Sequence, residues 1–122
     1  MKFSKQALFI VIAFFIQHSI MAQSYFKKDY PGVWQRATDY TLEVAEAMPA
    51  ENYNFKPLEE SMSFQEQLTH VVQNISFLSG LITGESPDFF KGKKPEALTK
   101  AEVNIALGEA FRYVGRLVKE VD

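Results

Sequence analysis

The sequence predicts an all-α fold: an up-and-down bundle of three mature helices behind an N-terminal signal segment. Three observations carry that prediction. Apolar residues recur at three- and four-residue intervals in three separate stretches, and each stretch opens on a helix-start signal. No run of useful length alternates apolar and polar residues as a strand would. At 122 residues the chain is long enough for one core and too short for two domains.

The first element is the leader. MKFSKQALFIVIAFFIQHSIMAQ carries Lys2 and Lys5, then an unbroken apolar run from Ala7 to Ile16, then Met21-Ala22-Gln23, where a small residue precedes a polar mature start. This is the pattern of a secretory signal peptide spanning residues 1–22 and cut after Ala22, which places the mature protein in the periplasm or outside the cell. The apolar run falls short of the roughly 20 residues of a bilayer-spanning helix. With no cysteine for lipid attachment, no stable membrane association is expected after cleavage. The same absence rules out a disulfide framework, so the core, a metal or a partner must supply stability. Loss of Lys2 and Lys5 leaves 11 basic and 15 acidic residues, a charge of −4 that argues against a nucleic-acid partner. The one basic cluster, Lys91, Lys93 and Lys94, lies in a Gly/Pro loop and reads as solvated.

The mature domain, residues 23–122, begins with a helix from about Gly32 to Met48, with Asp29 or Tyr30 at its mouth, Pro31 in its first turn and Pro49 ending it. Trp34, Ala37, Thr41, Val44, Ala45 and Met48 share one side of it, and Gln35, Arg36, Asp39, Glu43 and Glu46 the other. The connection 49–62 has two prolines and no sustained period, and Tyr53 and Phe55 are candidates to pin it.

Ser63 and Glu66 form a capping box that opens the second helix, and Gly84 closes it. Phe64, Leu68, Val71, Ile75, Leu78 and Ile82 make one apolar stripe there. His70, Phe77 and Leu81 lie together about 120° round, and Gln65, Thr69, Gln73, Ser76 and Thr83 fill the remaining arc. Thr99 and Glu102 repeat the capping box for the third helix, in which Val103, Leu107, Ala110, Val114, Leu117 and Val121 form a seam. Arg112, Arg116 and Lys119 complement its C-terminal dipole. Gly108 and Gly115 lie on its outer side, either admitting another helix or merely weakening this one.

So wide an apolar arc on the second helix requires neighbours on two sides, which three helices do not obviously supply. The His70 side is therefore expected to be covered by a fourth helix, by a second copy of the chain in a homodimer, or by the loop around Phe55 folding back.

Chemistry is harder to find. His70 is the one histidine of the mature chain. It is either a ligand in a bundle metal site or a core-edge histidine bonded to Gln67, Asn74 or a backbone carbonyl. A catalytic zinc-type site takes three protein ligands, and a lone imidazole does not hold a divalent ion. Glu59 and Glu60 are adjacent in a loop and read as solvated carboxylates, while Ser63 is committed to its cap. The glycines never cluster into a phosphate cradle. Phe89 and Phe90 belong to the core, or line a pocket or dimer contact. These residues identify no catalytic group.

The stretch TLEVAEAMPAENYNFKPLEESMSFQEQLTHVVQN, residues 41–74, resembles the DinB-like (YfiT-like) family of bacterial four-helix bundles. A helix ending in AEAMPAENYNFKP, a loop leading to the cap in MSFQEQL and a histidine in LTHVV follow in the family's order and spacing. The resemblance implies an antiparallel four-helix bundle with zinc or nickel bound by three histidines, the first matched by His70. The other two belong to a last helix, and this chain stops at Asp122 before one, so the bundle is expected to be C-terminally incomplete and not to hold the metal alone. The family includes thiol-dependent transferases and isomerases as well as many proteins with no assigned reaction, and the resemblance implies metal-dependent hydrolase or thiol transferase chemistry on a small-molecule substrate for the complete form. The competing expectation is a non-enzymatic helical interaction or dimerisation module, or an inactive fragment.

Overall fold

A computed structural model describes residues 27–120. The expected signal segment and Val121 lie outside the described residues. Three α-helices and two short 3₁₀ turns make up the regular structure, with no strand among the described residues. We call the helices α1 (27–47), α2 (Phe64–Thr83) and α3 (Lys100–Glu120).

Helix α1 is already helical at residue 27, so Pro31 sits inside it and not in a first turn starting near Gly32. The proline ring suits helical φ, and the helical N–H that it removes is the one four residues after Lys27, an exposed residue. Trp34, Thr38, Leu42, Ala45 and Met48 form its inner face. The expected face is thus rotated slightly, gaining Thr38 and Leu42 and leaving Ala37 and Val44 exposed.

Pro49 ends α1, and the 3₁₀ turn Ala50–Asn52 carries the chain to Tyr53, whose ring is buried edge-on against Phe64. The backbone then joins the start of α2, with Phe64 N donating to Phe55 O at 3.0 Å and Gln65 N to Tyr53 O at 2.8 Å. Phe55 contributes backbone only, since its side chain is 60% exposed.

Both predicted capping boxes form. Ser63 Oγ accepts from Glu66 N at 3.1 Å while Ser63 N donates to Glu66 Oε2 at 2.6 Å. Thr99 N donates to Glu102 Oε2 at 2.9 Å, and Glu102 N to Thr99 Oγ1 at 3.3 Å. These bonds satisfy amides that a helix start leaves without partners. Gly84 closes α2 at φ 80°, a left-handed conformation that glycine adopts without a Cβ clash.

The topology departs from simple up-and-down alternation at the second connection. Ser86 lies over Gly80, Ser76 Oγ donates to Pro87 O at 2.7 Å, and Gln65 Nε2 donates to Pro95 O at 2.9 Å and Leu98 O at 3.1 Å. The segment after α2 therefore runs back along it to its starting end. Helix α3 leaves from there, parallel to α2 and antiparallel to α1: Glu46 meets Lys100 and Asn104 at one end, and Trp34 meets Phe111 and Gly115 at the other. Twenty residues of α2 rise about 30 Å, a span the extended return segment covers easily.

This crossover explains the largest discrepancy with the sequence pattern. Gln65, Thr69 and Ser79, on or near the polar arc of α2, are buried: Gln65 donates to the return segment at Pro95 O and Leu98 O, while Thr69 Oγ1 donates within its own helix, to Gln65 O at 3.1 Å and Glu66 O at 3.2 Å. The core itself is Leu68 and Val72 of α2 against Val103, Ala106, Leu107, Ala110 and Phe111 of α3, closed by Ala45, Tyr53 and Leu98. The expected α2 stripe holds through Ile75 and then fails, with Leu78 and Ile82 exposed. On α3 the seam is as expected through Ala110, Val114 and Leu117 being half-buried.

Candidate functional site

Because α1, α3 and the return segment occupy one half of its circumference, α2 turns its other half outward. Gln67, His70, Asn74, Phe77 and Leu81, spaced by three and four, line that outer face and are all exposed. Phe77 is 61% exposed, Leu81 69% and Ile82 82%. The His70 imidazole is exposed and makes no hydrogen bond with any described residue, so neither Gln67, Asn74 nor a carbonyl holds it. The Phe55 loop does not close over it. Within the described chain this face is bare.

No group of three or more His, Asp or Glu side chains capable of holding a metal ion exists among the described residues. His70 thus stands alone, and the described residues do not by themselves fit a zinc or nickel ion. Glu59 and Glu60 are exposed in the first loop, as expected, and Ser63 is spent on its cap. No described helix is long and apolar enough to cross a membrane.

The return segment shapes a cleft of about 380 Å³ against α2, lined by Val72, Ser76, Phe77, Phe89 and Phe90 among others. Phe89 and Phe90 therefore pack on the core and wall a pocket at once, Phe89 meeting Tyr113 edge-on at 5.8 Å. Asp88 organises the turn by accepting from Phe90 N at 2.9 Å and Gly92 N at 2.6 Å, which leaves Lys91 at φ 55°. The basic cluster is more than solvated: Lys91 pairs with Glu109 at 3.2 Å and Lys93 with Glu102, tying this loop to α3.

A second cleft, of about 300 Å³, lies between α1 and the last turns of α3. Trp34, Phe111 and Gly115 form its floor, and Arg112, Arg116 and Lys119 stand along it. By sequence pattern alone those cations suit the helix dipole and Gly115 falls on an outer side of α3. The structure instead seats Gly115 beneath the indole, where a Cβ would lie 3.6 Å from Trp34. The signal that was available is the spacing of the three cations on one stripe of α3 with no acid among them.

Charge elsewhere serves the caps. The Lys93 ammonium, followed by the Thr99 amide and hydroxyl, pushes the Glu102 carboxyl down to about 2, and the Ser63 amide holds that of Glu66 below the ordinary range. Burial, reinforced by Glu46, raises the Tyr53 phenol above its usual value. Compared with protein-family models, curated proteins and solved structures, the chain matches none of them significantly.

Proposed function

We propose that the chain is an exported helical-bundle protein that works through the bare face of α2, as a docking surface for a further helix, in the first instance that of a second copy. The observation that carries this reading is the run of Phe77, Leu78, Leu81 and Ile82, all more than half exposed on one side of one helix. Soluble monomers rarely leave so much contiguous apolar surface open, and an amphipathic helix laid along it would read residues at the three- and four-residue spacing found here. Light scattering of the purified mature chain tests it. A dimer that Phe77→Ser with Leu81→Ser dissociates supports the reading, and a monomer at every concentration removes it.

The resemblance of residues 41–74 to DinB-like bundles favours a second, metal-centred reading. There His70 supplies one ligand of a zinc or nickel ion, and the docked helix supplies the others. A centre so completed belongs to metal-dependent hydrolase or thiol transferase chemistry on a small molecule. Among the described residues His70 is the one histidine, and no group of three His, Asp or Glu side chains suited to a metal ion stands among them. Metal content of the purified protein with and without His70→Ala separates the two readings: stoichiometric metal lost in the variant favours the centre, and equal, near-zero metal leaves docking alone. Export is checked by fractionation and by finding Gln23 as the mature N-terminus.

A further inference from the structure

We propose that the cleft between α1 and the last turns of α3 binds a small organic oxyanion, a carboxylate or phosphate group carried on an apolar body. Its floor is apolar and aromatic, built from Trp34, Phe111, Pro31 and Val118, and Gly115 leaves the floor open where any larger residue would project. Its rim carries Arg112, Arg116 and Lys119, and among the described residues no acidic side chain lines it. The volume, about 300 Å³, is at the lower end of small-molecule pockets, and an apolar cavity with a few convergent polar groups is their usual construction.

Among the described residues the three cleft cations share their lack of an ion pair with the exposed Lys28, Arg36 and Lys94, which do not line this cleft. Lys56, Lys91, Lys93 and Lys100 are each paired with a carboxylate, and those pairs occupy Glu66, Glu109, Glu102 and Glu46. Arg112, Arg116 and Lys119 form no ion pair with any described residue. Arg112 folds back over Gly108, and Arg116 lies 5.8 Å from the Tyr113 ring centroid. The nearby acid of α1, Asp39, accepts instead from Gln35 at 2.8 Å.

Like charges at i, i+4 and i+7 repel along a helix. The C-terminal dipole favours cations only within the last turn, which accounts for Lys119 and not for Arg112, two turns earlier. An oxyanion on the rim, drawing the two guanidinium groups from Gly108 and Tyr113 toward it, would relieve that repulsion, and arginine is the residue suited to carboxylate or phosphate in a forked geometry.

Trp34 is the only tryptophan, so the full chain reports on its own cleft by fluorescence. Phenylacetate, phenyl phosphate and neutral phenylacetamide are titrated at fixed ionic strength. Saturable change with phenylacetate or with phenyl phosphate, at least about tenfold tighter than with phenylacetamide, is expected, and the stronger of the two anions identifies the headgroup. Arg112→Gln with Arg116→Gln is expected to weaken that binding by about tenfold or more. Circular dichroism verifies that the double variant folds, and the single exposed change Arg116→Gln takes its place if it does not. Equal affinity for phenylacetamide, unchanged binding by the variant, or no saturable response to either anion at about 10 mM overturns the proposal.

Discussion

The hydroxyl of Tyr53 donates a hydrogen bond of 2.7 Å to the carbonyl oxygen of Ala45, at a point where the helix has no amide to offer. In an α-helix that carbonyl would accept from the residue four ahead, which here is Pro49 and has no N–H. Ala45 is fully buried, so water cannot easily substitute. Lys100 Nζ does a similar service for Glu46 O at 2.6 Å, and a cation there also suits the helix end. The proline that stops α1 thus creates a buried acceptor that the following loop returns to satisfy.

Tyr53→Phe keeps the ring against Phe64 and removes only the donor. It is expected to cost about 1–3 kcal/mol, the penalty for a buried acceptor left without a partner. Denaturant unfolding measures it. Because the phenol is raised in the folded protein, the unfolded chain ionises first, so the stability it contributes is present below about pH 10 and is lost as pH rises through the raised folded value. Tyr53→Phe should remove that alkaline limb, and an unaltered limb would assign it to another group.

Gly115 separates helix propensity from packing. A Cβ there would stand 3.6 Å from the indole, an ordinary contact, so Gly115→Ala is expected to stabilise by up to about 1 kcal/mol. Gly115→Leu would displace the ring and break the bond from Trp34 Nε1 to Phe111 O, now 3.0 Å, at a cost of about 1–3 kcal/mol. A red shift of the tryptophan emission in the leucine variant alone is the accompanying sign.

Gln65 spends both amide protons on the carbonyls of Pro95 and Leu98 and so fixes where α3 begins. Gln65→Leu fits the helix and strands both acceptors, for an expected loss of about 2 kcal/mol. Hydrogen exchange should quicken around residues 95–103 before it does in the rest of α3. Uniform exchange along α3 would place the anchor elsewhere.

Those two bonds also explain how far the sequence could be read. Caps are local, each written in residues three apart, and Ser63 with Glu66 and Thr99 with Glu102 were legible for that reason. The orientation of α2 was not. Its core-facing side includes Gln65, Thr69 and Ser79, which a hydrophobic pattern assigns to solvent, and what makes Gln65 interior is a return segment whose backbone carbonyls need polar partners. A crossover of that kind appears in no periodicity, so an alternating bundle was the natural expectation. His70 was legible as the single imidazole of the described residues, and the structure leaves it exposed beside Phe77 and Leu81, with no described residue covering it. The cationic cleft was missed because Trp34 and Arg112 lie far apart in sequence and meet only through the antiparallel pairing of α1 with α3.

Acid should weaken the start of α3. Glu102, pushed down to about 2 by Lys93 and Thr99, is held below its ordinary value near 4.5, so the unfolded chain takes up that proton before the folded one does. The stability it contributes is therefore complete above about pH 4.5 and is lost as pH falls toward 2. Glu66 is shifted in the same direction by the Ser63 amide and adds to the same limb. In Glu102→Gln the amide can still accept from the Thr99 backbone N–H but forms no ion pair with Lys93. Its urea midpoint is expected to lie below that of the unchanged protein at pH 6 and to approach it as the pH is taken down to about 2.5, where the native carboxylate is itself being lost. Both groups are exposed, so salt should shrink the difference at pH 6 as well. A gap that persists undiminished at low pH would mean that Glu102 stabilises α3 by packing and not by charge.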